Sequence, residues 1–133
     1  MSTENNKQVV LNMQAAINRG DLNGMFANMT DDVTFQVMGS HKLAQRIYKG
    51  KEDITQNLLM VTLPLFDDNG IKTEVQCMAA EGDVVFLQFS GKAMTRKGQR
   101  YENDFIQVFR FRDGKICSIA EYLDTALLAS ILS

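Results

Sequence analysis

The chain has 133 residues, of which 45% are hydrophobic and 23% charged, a composition typical of a globular protein. This length predicts one domain spanning residues 1–133. A net charge of −2 provides no basic excess for binding phosphates, so we expect no nucleic-acid partner. The sequence has no secretory signal and no apolar run of the ~20 residues that span a bilayer. We therefore expect a cytoplasmic protein that does not enter membranes.

The sequence offers few ligands for a metal ion. Cys77 and Cys117 lack metal-ligand spacing and alternate with apolar neighbours, which predicts two small buried side chains in a reducing compartment. His41 is the one histidine and lies in a polar loop. We expect no metal and no cofactor.

The first half of the chain is predicted to be mainly helical. Apolar residues recur at helical spacing from about residue 5 to 19, Gly20 ends that helix, and Asp21 can cap a second one. Residues 33–37 alternate between apolar and polar, which predicts a strand. A third helix is expected near 51–61.

From Ile71 onward the hydrophobic period changes to two. Asp113-Gly114 predicts a type I′ hairpin turn, because both of its central residues need a positive φ. Helices followed by an antiparallel meander predict an α+β fold, in which three N-terminal helices cover the concave face of a curled antiparallel sheet. A short apolar tail at 126–132 predicts a final helix or lid. The four predicted strands are 71–80, 83–95, 100–112 and 115–123.

Three stretches of the chain carry a further pattern: the helix that ends at Gly20-Asp21-Leu22, the strand and loop between residues 30 and 54, and the strands between residues 101 and 124. Together they resemble SnoaL-like and ketosteroid isomerase-like members of the nuclear transport factor 2-like superfamily. The resemblance implies a cone-shaped half-barrel with a ligand cavity inside the cone. It does not imply one function, because this fold serves isomerases, hydrolases, cyclases, transport factors and binding domains.

Two known chemistries of the superfamily lack their residues in this chain. The resemblance puts the catalytic positions of ketosteroid isomerase at Met13, Val37 and Gln107. Met13 and Val37 cannot exchange a proton, so that mechanism is not expected. The arginine and two acids of limonene epoxide hydrolase fall on Gln88, Ser90 and Glu121. One carboxylate of the three groups remains, so a water-activating triad is not expected either.

Glu121 is the predicted catalytic residue. SnoaL-type cyclases rely on a single acidic group, so the resemblance leaves open a lyase, isomerase or cyclase that uses Glu121 as its acid and base. The alternative is a carboxylate that is hydrogen-bonded within the sheet or exposed at a dimer face. A ligand-binding protein without catalysis, or a protein-interaction module, could use the same fold.

Strand alternation, counted from Gln107, predicts the other residues of the site. Tyr101 and Asn103 lie near a strand end, which suits a pocket rim and a solvated edge equally well. A largely apolar cavity with a few amides and one carboxylate is usual for a small-molecule site, so we expect a small, apolar organic ligand. The predicted ligand-binding residues are Gln107, Asn103, Tyr101, Gln88, Met13, Val37, Phe35, Phe105 and Phe86.

The sequence also predicts a homodimer. A curled sheet has two apolar faces, and the helices can cover only one of them. The uncovered face would form a patch larger than monomers usually expose, and pairing around a two-fold axis is the commonest way to bury it. The residues predicted for this patch are Val85, Leu87, Phe89, Ile106 and Val108.

Overall fold

The fold is described here from a computed structural model, which covers residues 2–132. It confirms the α+β class, with helices first and a curled, unclosed sheet after them. No helix within this range is long and apolar enough to span a bilayer. The helices are α1 (Thr3–Asn18), α2 (Leu22–Phe26), α3 (Gly50–Ile54), α4 (Met60–Thr62) and α5 (Thr125–Leu132), and the strands are β1 (Met29–Val37), β2 (Ile47–Lys49), β3 (Lys72–Glu81), β4 (Val84–Met94), β5 (Arg100–Arg112) and β6 (Lys115–Leu123).

The junction between α1 and α2 has the predicted capping. The Ser2 side chain caps α1 by accepting from the backbone N–H of Asn5 at 3.0 Å. The chain leaves α1 through Gly20, whose φ of 70° is readily adopted by glycine. The Asp21 carboxylate then accepts from the backbone N–H of Gly24 at 2.8 Å and caps α2.

The predicted third helix is one continuous helical segment of mixed type. It begins as α3, passes through a π-helical turn over Thr55–Leu59, continues as α4 and ends in a 3-10 turn over Leu63–Leu65. Pro64 lies at the start of that last turn, where its missing N–H costs no helical hydrogen bond. A π turn inserts an extra residue into a helix and is often found at functional sites.

The six strands form one sheet in the order β2-β1-β6-β5-β4-β3. Asp113 and Gly114 have φ values of 53° and 79°, which confirms the predicted hairpin turn between β5 and β6. The prediction of a purely antiparallel sheet was wrong, because β1 pairs with β6 in parallel. No hairpin joins these two strands, so no turn residue in the sequence fixes their relative direction. The sequence also missed β2, a three-residue edge strand paired with β1.

The side chains of β4 that point toward the cavity are not the predicted ones but those on the other face of the strand. Gln107 on β5 lies directly opposite Leu87 on β4, and opposed residues of an antiparallel pair share a face. Leu87 therefore lies on the inner face, whereas Phe86 and Gln88, predicted to line the pocket, are exposed on the outer face. Of the predicted outer patch, Val85, Leu87 and Phe89 are instead buried in the core, and Ile106 and Val108 do lie outside.

The cysteine prediction was also wrong in part. Cys77 is exposed and Cys117 is half-buried, and both are free thiols. Cys77 follows a register shift between Val75 and Cys77 on β3. A bulge of this kind adds a residue to one strand and turns the side chains after it to the other face.

Buried and exposed side chains alternate along β5, so substitutions at two neighbouring residues test which face of the strand lies in the core. Phe109 is fully buried in the main hydrophobic cluster, and its neighbour Arg110 is exposed. Phe109→Ala should lower the free energy of unfolding by roughly 3–5 kcal/mol, because it removes buried contacts and leaves a cavity. Arg110→Ala should change it by no more than about 0.5 kcal/mol. Urea unfolding followed by circular dichroism measures both, and equal effects would contradict the assignment of faces.

Candidate functional site

A cavity of about 470 Å³ lies between the inner face of the sheet and the helices. This volume is within the usual range for small-molecule sites. Strands β1, β4, β5 and β6 contribute one wall, and its apolar part consists of Phe35, Val37, Phe89, Phe105 and Leu123. The side chains of this wall project inward because each strand alternates and the sheet curls toward the helices.

The helical side of the cavity is also apolar. Met13 and Ile17 line it from α1, and the π-helical turn brings two successive leucines, Leu58 and Leu59, to the same wall. Leu128 of α5 closes a further side, and its burial agrees with the predicted role of the C-terminal segment as a final helix or lid. A ligand entering this space would meet mainly hydrocarbon.

Part of the cavity lining is polar. Arg19 and Asp21 line it from the α1–α2 junction, and Asp68 lines it from the turn that leads into β3. The Lys72 ammonium donates to the backbone carbonyl of Asn18 at 2.7 Å. This contact ties the end of α1 to β3.

Glu121 and Gln107 form a hydrogen-bonded pair on the sheet wall of the cavity. They lie directly opposite each other on β6 and β5, which brings their side chains to the same face. Gln107 Nε2 donates to Glu121 Oε1 at 2.7 Å. Both residues line the cavity, and Val37 of β1 lies beside Glu121 in the parallel register.

The surroundings of Glu121 favour its neutral form. Burial removes water from the carboxyl group and raises its pKa from 4.5 to about 7, while the hydrogen bond from Gln107 opposes this rise. The residue as a whole is half-buried and lines the cavity. A carboxyl group with a pKa near neutrality can both accept and donate a proton at physiological pH.

Tyr101 and Asn103 form a second polar pair, at the α5 end of the cavity. Asn103 Nδ2 donates to the Tyr101 hydroxyl oxygen at 2.8 Å and to the Asp124 carbonyl at 3.1 Å. The Asn103 side chain therefore fixes the tyrosine to the end of β6. Burial is the main cause of the raised pKa of Tyr101. The hydroxyl therefore keeps its proton and can donate a hydrogen bond to a ligand.

The structure brings most of the predicted site residues together. Glu121 and six of the predicted ligand-binding residues line the cavity, and Asn103 lies buried behind Tyr101. Gln88 and Phe86 lie outside it, because the register of β4 turns Leu87 and not its two neighbours to the inner face. The six are Gln107, Tyr101, Met13, Val37, Phe35 and Phe105.

Sequence reasoning missed several lining residues from the helical segment and from β4. Leu58 and Leu59 were not assigned to the cavity because no local pattern reveals a π turn. Phe89 could have been found, since Val85, Leu87 and Phe89 form an unbroken apolar series on β4. Within residues 2–132, no three His, Cys, Asp or Glu side chains are grouped as metal ligands. His41 instead accepts from the backbone N–H of Leu43 through Nδ1.

A sequence model of the family described as SnoaL-like domain matches residues 10–119. The chain belongs to the SnoaL-like domain family. The match begins within α1 and ends within β6, before Glu121 and α5. No curated protein matches the chain.

Solved structures with the same fold cover almost the whole chain. An NTF2-like protein of unknown function from Burkholderia pseudomallei is 19% identical over 100% of this chain and 99% of its own, with a TM-score of 0.85. AclR, a proposed hydroxylase from Streptomyces galilaeus, is 25% identical over 98% and 86%, with a TM-score of 0.78. A proposed SnoaL-like polyketide cyclase from Jannaschia is 16% identical over 100% and 96%, with a TM-score of 0.80. These likenesses show that the chain shares its fold with these proteins.

The pKa of Glu121 can be measured directly. Carbon-13 NMR of labelled glutamate should show one carboxyl that titrates with a midpoint of about 7 and is missing in Glu121→Gln. A titration of this carboxyl near 4.5 would contradict the dry environment described above.

The same pKa predicts a pH dependence of stability. The folded protein holds the Glu121 proton more tightly than the unfolded chain, so the stabilisation is complete below 4.5 and is lost as the pH rises through about 7. Between about pH 4 and pH 8 the wild type should lose roughly 2–3 kcal/mol more unfolding free energy than Glu121→Gln. Urea denaturation at both pH values measures the difference, and parallel losses would contradict it.

Proposed function

We propose that the cavity binds a small, mostly apolar cyclic organic molecule and that Glu121 transfers a proton to and from it. The main support is a carboxyl group with a pKa of about 7 that lies on the largely apolar sheet wall of the cavity. An isomerase, cyclase or lyase needs such a group to move a proton between two atoms of its substrate.

The expected chemistry begins with the ionised form of Glu121. Its carboxylate removes a proton from a carbon next to an electron-withdrawing group, and the electron pair of the C–H bond moves into that group. The protonated carboxyl then returns the proton to another atom of the same substrate, which restores the carboxylate. Gln107 Nε2 holds Oε1 of the carboxyl at 2.7 Å, so the other oxygen is available for the transfer.

A binding protein without catalysis remains the alternative, and it has its own support. Met13 and Val37, the positions that the family resemblance assigns to a catalytic tyrosine and base, line the cavity as apolar side chains. Glu121 is then the carboxylate of the sheet wall through which proton transfer can be tested. The AclR and Jannaschia proteins are described as enzymes, which favours catalysis over binding alone.

Proton abstraction can be tested without knowing the natural substrate. A nitrobenzisoxazole is an apolar ring compound whose ring opens when a base removes its C–H proton: the N–O bond breaks and a coloured cyanophenolate forms. The wild type should accelerate this reaction, with a rate that rises with pH through a midpoint of about 7. Glu121→Gln should lower the rate by roughly 10²–10⁴-fold, because the amide cannot accept the proton.

Glu74→Gln is the matched control, since Glu74 is an exposed carboxylate on β3. This variant should keep the wild-type rate and pH profile. If Glu121→Gln binds the probe and reacts as fast as the wild type, Glu121 is not the base and the proposed proton transfer is wrong. If the wild type neither binds the probe nor accelerates its reaction, the cavity is not a site for such rings.

We also propose that the protein is a homodimer formed through the outer face of the sheet. Phe86, Ile106 and Tyr122 expose 43%, 45% and 47% of their surfaces. Ile106 lies opposite Tyr122, and Phe86 lies opposite the half-exposed Val108, so these side chains are neighbours in one patch. A second copy of the chain offers a complementary apolar surface.

A charge placed in this patch should separate the subunits. The wild type should sediment as a dimer at micromolar concentration in analytical ultracentrifugation, and Ile106→Glu should sediment as a monomer, because an unpaired carboxylate is costly to bury. Met60→Glu is the control, since Met60 is 42% exposed but lies on α4. A monomeric wild type, or a dimeric Ile106→Glu, would contradict this interface.

A further inference from the structure

The carbonyl oxygen of Gln107 is a buried acceptor that lacks a donor. Gln107 Nε2 is used by Glu121, which leaves Oε1 on the other side of the amide. Oε1 has no hydrogen-bond partner within residues 2–132, and the residue is only 5% exposed. A buried acceptor without a partner is destabilising, because it has lost its hydrogen bond to water without gaining another. A ligand that supplies the missing donor recovers this free energy on binding.

The protein neighbours of Gln107 cannot supply that donor. Phe105 and Phe109 flank it on the inner face of β5, and Leu87 opposes it from β4. Gln107 itself lines the cavity, so the cavity is the side from which a donor can approach the amide. A water molecule can satisfy it while the cavity is empty, but a ligand that displaces this water must replace its hydrogen bond.

The ionised form of Glu121 fixes the orientation of the amide. A carboxylate can only accept hydrogen bonds, so the amide must turn its Nε2 toward Glu121 and its Oε1 away from it. The cavity therefore presents an acceptor, not a donor, at Gln107 whenever Glu121 is ready to act as a base. The ligand needs a donor at this point in that state.

We propose that the ligand carries a neutral hydroxyl group, phenolic or enolic, whose O–H donates to Gln107 Oε1. This inference rests on the proposed function, since it assumes that the cavity binds a cyclic organic molecule. A neutral hydroxyl is far less costly to bury in an apolar space than an ammonium group. One O–H matches the one free acceptor, and the ring that bears it can pack against Phe105 and the other apolar side chains of the wall.

Naphthol, its methyl ether and naphthalene form a matched set of probes. All three carry the same apolar ring system, and only naphthol has a donor. Binding is measured by calorimetry at about pH 8, where Glu121 is ionised and a phenol, like tyrosine with its pKa near 10, keeps its proton. The wild type should bind naphthol roughly 5- to 100-fold more tightly than either of the other two, as expected for one buried hydrogen bond.

Substitution of Gln107 should abolish this preference. Gln107→Met keeps the length of the side chain without the acceptor, and Gln107→Leu is a second variant in case the first packs poorly. In either variant the three probes should bind within about threefold of one another. Gln88→Leu is the control, because it removes the same side chain from the outer face of the neighbouring strand. It should keep the preference for naphthol.

The outcomes separate this inference from the proposed function. If all three probes bind the wild type equally well, the cavity is a site for rings but Gln107 does not select a hydroxyl, and the inference is wrong. The same holds if Gln107→Met and Gln107→Leu keep the preference for naphthol. If none of the probes binds at millimolar concentration, the cavity does not accept rings, and the proposed function fails together with the inference.

Discussion

A carboxyl group buried in an apolar cavity wall is the feature on which the proposed chemistry of this protein depends. Glu121 lies on a cavity wall made mostly of phenylalanine, valine and leucine side chains, and burial raises its pKa to about 7. The free-energy cost of removing water from this group is partly offset by one hydrogen bond from Gln107 at 2.7 Å. The pair can exist because β5 and β6 put the two residues directly opposite each other. A shift of one residue in that register would turn one of them to the outer face and leave the other without its partner.

Much of this arrangement could be predicted from local sequence patterns. The assignment of Gln107, Glu121 and Phe105 to one face was correct, but the Asp113-Gly114 turn alone does not fix it. A regular pairing counted from that turn would put Ala120 opposite Gln107, and a register shift between Arg110 and Phe111 puts Glu121 there instead. The error on β4 arose because Phe86 and Gln88 were grouped with Gln107 by analogy with relatives. The stronger signal was the series Val85, Leu87 and Phe89, which is apolar at every position and therefore fits the buried face better. Weighing the two faces of the strand against each other would have given the correct orientation.

Other features depend on contacts between distant parts of the chain, and no local pattern contains them. The parallel pairing of β1 with β6 joins strands that about 80 residues separate. The π-helical turn at Thr55–Leu59 matters because it faces the sheet across the cavity, yet its residues resemble any short amphipathic helix. The bulge that exposes Cys77 is likewise set by the pairing of β3 with β4. The class of fold, most of the sheet wall and Met13 of the helical wall were therefore predictable, whereas the facing of β4 and the π-helical part of the opposite wall were not.

Strand β5 links the two proposed surfaces of the protein. Its inner residues, Gln107 and Phe105, line the cavity, and its outer residues, Ile106 and Val108, lie in the exposed apolar patch. Because neighbours on a strand share one backbone, a partner packed on the outer face would hold the same peptide groups that position the Gln107 amide. Association through this face would then limit the movement of the wall that carries Glu121 and Gln107. A sheet that has an apolar cavity on one face and a partner on the other can hold the buried pair of Gln107 and Glu121 in register.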